Sequence, residues 1–116
     1  MSKARKEKGR WGEQAAAHYL EKNGFAVRER NVHLGCAEID IVAEKDGCLY
    51  FVEVKSRSSV KFGSPVESIN SRKKHKMCLG AEAYLSQRDY HGDCSFLVVA
   101  VDLNTGNVEL IEDILD

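Results

Sequence analysis

Apolar residues recur at two different spacings along this chain, and each spacing predicts a different kind of element. Between positions 10 and 23 the spacing is helical, with Gly24 as a typical stop, and the apolar stripe consists of Trp11, Ala15, Ala16, Tyr19 and Leu20. Residues 25–33 alternate and predict a first strand. The stretch "AEIDIVAEKDGCLYFVEVKS" places two β-type runs around Asp46-Gly47, a dipeptide favoured in type I′ turns, and so predicts a β-hairpin.

The second half of the chain predicts one helix and two strands. Ser64-Pro65-Val66-Glu67 has the residues of a helix start, and a helix from there to about position 88, or restarting near Ser71, follows. "CSFLVVAV" is apolar on both faces and predicts a central strand, and "VELIE" predicts a short last one. The order α-β-β-β-α-β-β predicts an α/β fold, with a mixed central sheet flanked by helices. A length of 116 residues fits a single domain over positions 1–116.

Composition excludes several classes of protein. The chain is 43% hydrophobic and 30% charged, which is typical of a globular protein. No apolar run approaches the roughly 20 residues of a membrane span, so we expect no membrane partner. No apolar stretch follows the basic N-terminus, so we expect a cytoplasmic protein. His33-x-x-Cys36 and His91-x-x-Cys94 could be interpreted as a split zinc site, but the wide spacing favours free thiols.

Charge is distributed unevenly although the net charge is only −1. Residues 53–76 carry seven basic and two acidic residues, residues 1–10 carry five basic and one acidic, and residues 89–116 carry seven acidic and no basic ones. This asymmetry is what an electropositive face for a phosphate backbone requires. A solvated basic helix face balanced by an acidic edge explains the same counts.

The hairpin register brings charged residues together. A turn centred between positions 46 and 47 pairs residues whose numbers add to 93, so Asp40 is predicted opposite Glu53, and Glu38 opposite Lys55. Like charges directly opposite each other are destabilising, and a divalent cation is one reason to place two carboxylates there. An ordinary solvated face is the alternative, although Phe51 makes the same face partly apolar.

These residues resemble a known pattern. Twelve residues separate Asp40 from the tripeptide Glu53-Val54-Lys55. This pattern looks like the Asp…Asp/Glu-x-Lys nuclease motif on a hairpin. The blocks "GRWGEQAAAHYLEKNGF", "ERNVHLGCAEIDIVAEKDGCLYFVEVKSR" and "SPVESINSRKKHK" are similar, in order and spacing, to the YraN-like family of small bacterial proteins. The resemblance covers roughly residues 9–102 and implies a restriction-endonuclease-like core, related to Holliday junction resolvases.

The resemblance also implies a site. Asp40, Glu53 and the Val54 carbonyl would hold Mg²⁺, with Mn²⁺ as an alternative, and Glu13 would be a further or water-mediated ligand. Lys55 would orient the attacking water and stabilise the transition state. Glu38 would be a neighbour that adjusts the electrostatics of Lys55. From helix position alone, Glu13 could instead be an acid that interacts favourably with the helix dipole. The residues predicted to contact nucleic acid are Arg57, Arg72, Lys73, Lys74 and Lys76. Lys73 would either reach the scissile phosphate or be one more solvated lysine.

Three functions remain in competition at this point. The first is a magnesium-dependent nuclease acting on DNA, including branched or damaged DNA. The second is a non-catalytic nucleic-acid-binding module that retains the nuclease fold. The third is a protein-interaction domain that uses the acidic C-terminal edge. By analogy with resolvases, which cut two strands of a junction symmetrically, we also expect a homodimer. Trp11 is expected to pack the first helix rather than to stack on a base.

Overall fold

A computed structural model describes residues 3–35, 37–57 and 71–112 of the chain. Within these ranges the chain forms two helices, α1 (Lys3–Lys22) and α2 (Ser71–Gln87). It also forms five strands, β1 (Ala26–His33), β2 (Glu38–Lys45), β3 (Cys48–Arg57), β4 (Asp93–Asp102) and β5 (Val108–Glu112). The element order is the predicted α-β-β-β-α-β-β.

The five strands form one mixed sheet in chain order, β1 to β5. The β1/β2, β2/β3 and β4/β5 pairs are antiparallel, and the β3/β4 pair is parallel. A parallel pair needs a crossover connection, and α2 lies in the segment that links β3 to β4. This arrangement confirms the predicted α/β fold with a mixed central sheet flanked by helices.

The two helices cover opposite faces of the sheet. On one face α1 packs through Ala16, Ala17 and Leu20 against a cluster that includes Ile41 and Val52. On the other face α2 packs through Ala81 and Tyr84, and the sheet contributes Ile39, Val42, Leu49 and Phe51. Residues 97–101 of β4 are buried throughout, as expected of a strand with neighbours on both sides and helices above and below. No helix in the described part of the chain is long and apolar enough to cross a membrane.

The hairpin forms as predicted near its turn. Asp46 and Gly47 have φ values of 51° and 78°, the positive values that a type I′ turn requires at both central positions. The ladder pairs Lys45 with Cys48 and continues with the predicted register as far as Ile41 and Val52. The predicted helix start at Ser64–Glu67 lies outside the described residues.

The predicted boundary and inner face of the first helix are partly wrong. The helix begins at Lys3 rather than at position 10, and Trp11 is 49% exposed instead of packing inward. Gly12 is buried in its place. A methyl group at Gly12 would overlap the Ser56 hydroxyl and approach the Ser56 Cβ to 3.0 Å, so glycine lets α1 lie this close to β3 without displacing Ser56.

Candidate active site

The ladder between β2 and β3 ends where the acidic residues begin. Ile41 and Val52 form its last pair, so the predicted pairs Asp40–Glu53 and Glu38–Lys55 do not form. The Val54 amide instead donates a hydrogen bond to Asp40 Oδ2 at 2.8 Å. The ladder prediction was wrong at this end because a side chain replaces the partner strand as the acceptor. Asp40 and Glu53 nevertheless lie on adjacent antiparallel strands.

The alternation of side chains along β2 also breaks at Asp40. Regular pleating would place residues 39 and 41 on one face. Ile41 packs in the α1 cluster, whereas Ile39 packs in the α2 cluster together with Val42. The break allows acidic side chains from both sides of the sheet to influence Asp40, whose electrostatic neighbours include Glu13 on α1 and Glu53 on β3.

Glu13 reaches the site from α1 and lies near Asn31 of β1. The Asn31 side chain lowers the Glu13 pKa, and Asn31 has φ of 52°, a left-handed value that Asn tolerates better than most residues. Glu13 Oε1 is buried, and within the described residues it has no hydrogen-bond partner. Burial is the main cause that raises the Glu13 pKa; Arg30 opposes the rise, and the charges of Glu38 and Glu53 add to it. The sequence analysis missed Asn31; an Asn inside a predicted strand was its only signal.

Glu53 is the buried acid of the site. It is 7% exposed, and two amines lie near its carboxylate: Lys73 Nζ is 2.8 Å from Oε1, and Lys55 Nζ is 3.9 Å from the same oxygen. Lys73 belongs to the first turn of α2, so the second helix supplies the nearer cation. Glu53 also lines a small cavity with six other residues: Glu38, Ile39, Phe51, Val52, Met77 and Phe96.

The charge of the Glu53 carboxylate acts on the neighbouring Asp40 carboxyl. Burial is the largest cause that raises the Asp40 pKa, to about 7, and the Glu53 charge is the second. The Val54 hydrogen bond and the Lys73 charge lower it, but they do not offset burial. The Asp40 carboxyl therefore loses its proton at a higher pH than an ordinary aspartate does.

The donor chemistry of the site fits a hard divalent ion. Carboxylate oxygens are the ligands that Mg²⁺ and Mn²⁺ prefer, and Glu13 Oε1 is a buried acceptor with unused capacity. The site is not preassembled, since no three His, Cys, Asp or Glu side chains in the described part of the chain come together as a metal-binding group. Val54 supplies its amide to Asp40, and its carbonyl as a ligand stays a prediction. Cys48, Cys78 and Cys94 form no disulfide, and Cys36 lies outside the described residues.

The other predicted residues are distributed around the site. Glu38 lies 3.9 Å from His33, and its predicted position opposite Lys55 was wrong. Lys73 is turned inward to Glu53, so it is not a solvated lysine. Arg72 and Lys76 are exposed and, at a spacing of four, share one face of α2, whereas half-buried Lys74 lies on the other flank of Lys73. Arg57 is half-buried at the end of β3.

Comparison with known proteins identifies the family. A model of the uncharacterised protein family UPF0102 matches residues 12–101. The chain belongs to the UPF0102 family. A UPF0102 protein of Syntrophomonas wolfei is 42% identical over 106 residues, which cover 90% of this chain and 92% of that protein. One of Trichlorobacter lovleyi is 41% identical over 117 residues, covering 98% of this chain and 91% of that protein. The YraN-like resemblance is thereby confirmed.

One solved structure is also similar to this UPF0102 protein. An XisH family protein from Nostoc punctiforme matches with a TM-score of 0.47 and 16% sequence identity. The match covers 87% of this chain and 98% of the XisH family chain.

Proposed function

We propose that this UPF0102 protein is a divalent-metal-dependent nuclease that hydrolyses phosphodiester bonds in cytoplasmic DNA, with branched or damaged DNA as its substrate. The observation that carries the proposal is the burial of Glu53 beside Asp40, with Lys55 and Lys73 on the Glu53 carboxylate. Buried acids of this kind destabilise a protein unless a cation is paired with them. Perturbed acids grouped in this way mark a candidate functional site.

Four groups would hold the metal ion: the side chains of Asp40, Glu53 and Glu13 and the carbonyl of Val54. Mg²⁺, or Mn²⁺ in its place, lowers the pKa of a bound water and neutralises charge that develops on the phosphate. The Val54 amide would orient the Asp40 carboxylate toward an ion, and the Asn31 side chain lies near the Glu13 carboxylate. Such supporting hydrogen bonds orient the ligands of metal sites.

The lysines supply positive charge where the reaction develops negative charge. Lys55 lies on the same strand as Glu53, two residues further along, and would orient the attacking water and stabilise the transition state. The substrate backbone would lie along the basic side chains of α2 and the end of β3, namely Arg57, Arg72, Lys74 and Lys76. Four-way junctions present two strands related by symmetry, which favours a homodimer for that substrate.

One observation favours a second candidate, a nucleic-acid-binding module without turnover. The Glu53 carboxylate already has two amines near it, and the described acids do not form a preassembled group of three. A protein that used these ion pairs only for stability would bind nucleic acid through α2 and leave it intact. The two candidates share a binding surface and differ in metal dependence.

A cleavage panel separates the two candidates. Wild type, Asp40→Asn and a control variant at an exposed acid of α1, Glu21→Gln, are incubated with linear, flapped and four-way DNA and matched RNA, with Mg²⁺ or Mn²⁺. We expect wild type and the control to cut at least one DNA, and Asp40→Asn to cut none. Binding without cleavage by wild type on every substrate and metal would favour the binding module.

A further inference from the structure

Lys73 lies where a metal ion would be expected to contact Glu53. Its amine is 2.8 Å from Glu53 Oε1, whereas that of Lys55 is 3.9 Å away. The two lysines come from different elements, because Lys55 shares a strand with Glu53 and Lys73 belongs to α2. The acid that the proposed metal needs is therefore paired with an amine from a separate element.

The charges of the site explain why this amine is present. Once Asp40 and Glu13, whose pKa values are raised, have lost their protons, the carboxylates of Glu13, Asp40 and Glu53 outnumber the amines of Lys55 and Lys73 by one negative charge. A divalent ion reverses the balance to one positive charge, and the single negative charge of a phosphodiester then neutralises it. Before the metal binds, Glu53 needs Lys73 as a counter-charge. Afterwards Glu53 has the ion, and the substrate phosphate needs the amine.

We propose that Lys73 occupies the cation position on Glu53 in the metal-free protein and transfers to the substrate phosphate when a divalent ion binds Glu53. This inference rests on the proposed nuclease function and adds a role for Lys73 within it. Lysine suits the exchange because its ammonium is a compact point charge on a flexible four-carbon stem. The Lys73 side chain is 35% exposed, so it has a path toward solvent, whereas the Glu53 side chain it contacts is 9% exposed.

Metal affinity tests the competition. Calorimetry with Mg²⁺ alone, without nucleic acid, compares wild type with Lys73→Met, which removes the amine but keeps an unbranched stem. Lys22→Met, at the exposed C-terminal end of α1, is the matched control for loss of one positive charge. We expect Lys73→Met to bind Mg²⁺ about tenfold more tightly, because one charge-assisted contact no longer competes for Glu53. Unchanged or weaker affinity relative to wild type, or no Mg²⁺ binding by either protein, would overturn the inference.

A direct readout of the amine distinguishes displacement from simple repulsion, and it uses the wild-type protein if Lys73→Met does not fold. In protein labelled with ¹³C at lysine Cε, the Lys73 signal is assigned by its loss in Lys73→Arg. We expect saturating Mg²⁺ to move that signal toward those of the exposed lysines. A Lys73 signal that stays in place at saturation would show that the ion pair persists and that the exchange does not occur.

The test is independent of catalysis because neither readout uses nucleic acid. DNA cleavage with an immobile Lys73 signal would refute the exchange and leave the nuclease proposal standing. Movement of Lys73 and tighter Mg²⁺ binding by Lys73→Met, in a protein that cuts no substrate, would support the exchange and refute the nuclease proposal.

Discussion

Replacing Asp40 by Asn should make the metal-free protein more stable at neutral and alkaline pH. The Asp40 carboxyl is buried beside Glu53, and these two causes raise its pKa from 3.8 to about 7. Asparagine has the same shape and can accept the Val54 hydrogen bond through its carbonyl oxygen, but it never ionises. The substitution therefore removes a buried charge and keeps the contact that orders the end of the hairpin.

The magnitude follows from the two pKa values. An acid with a higher pKa in the folded state binds its proton more tightly there, so ionisation costs folding stability as the pH rises. The loss of folding stability begins at a pH near 3.8, the pKa of Asp40 in the unfolded chain, and is complete above a pH of about 7. At about 1.4 kcal/mol per pKa unit, the full interval corresponds to roughly 4 kcal/mol. Between about pH 5 and about pH 8.5 the loss from this one group is roughly 2–3 kcal/mol.

Urea denaturation with EDTA present measures this difference. The free energies of unfolding of wild type, Asp40→Asn and Glu21→Gln are compared at the two pH values, and titrating groups that do not interact with the substituted residue cancel in the differences. We expect the advantage of Asp40→Asn over wild type to grow by roughly 2–3 kcal/mol toward the higher pH, and that of Glu21→Gln to stay constant. A variant that is less stable than wild type at the higher pH, or an advantage that does not grow with pH, would refute the reasoning.

Three further predictions concern chemistry, binding and packing. Lys55→Ala should lower turnover on DNA by about 10²-fold or more with little change in affinity, because a charge that stabilises the transition state contributes little to binding of the uncleaved substrate. Equal losses in single-turnover rate and in affinity would contradict this. Gln substitutions at the three basic residues of α2 that do not pair with Glu53 should weaken DNA affinity and flatten its salt dependence, as measured by fluorescence anisotropy. These residues are Arg72, Lys74 and Lys76. An unchanged slope would place the interface elsewhere. Gly12→Ala should lower the free energy of unfolding by about 1–3 kcal/mol, because the added methyl group would meet Ser56. This cost should exceed the gain from the better helix propensity of alanine. A variant more stable than wild type would show that α1 can shift away from β3.

The features predictable from the sequence are those that depend on neighbouring residues. The Asp46-Gly47 turn needs two positive φ values, which this dipeptide accepts, and the turn then sets the register as far as Ile41. The buried run of β4 needs apolar residues on both faces, a requirement that is visible in its composition. Gly24 ends α1 with φ of 88°, as its position after the apolar stripe indicates.

The features that escaped prediction depend on contacts between distant parts of the chain. Hydrophobicity alone favours Trp11 for the inner face of α1, but Gly12 lies on that face, where a larger residue would displace Ser56 of β3. The register beyond Ile41 fails because the Val54 amide bonds to the Asp40 side chain instead of continuing the ladder. Lys73 pairs with Glu53 only because α2 packs over that end of the sheet. None of these choices is encoded within a short window of sequence.

The carboxyl at position 40 is not explained by structure alone. The Val54 amide needs an acceptor where the ladder ends, because unpaired backbone groups are costly when buried. Asparagine would supply that acceptor without the free-energy cost that burial and Glu53 impose on an ionised acid. A carboxyl gains an advantage over the amide where positive charge stabilises its ionised form, and the Lys73 charge alone does not offset burial here. The destabilised acid is therefore an argument for a cation site, and this is why metal-dependent chemistry accounts for Asp40 better than a solvated hairpin face does.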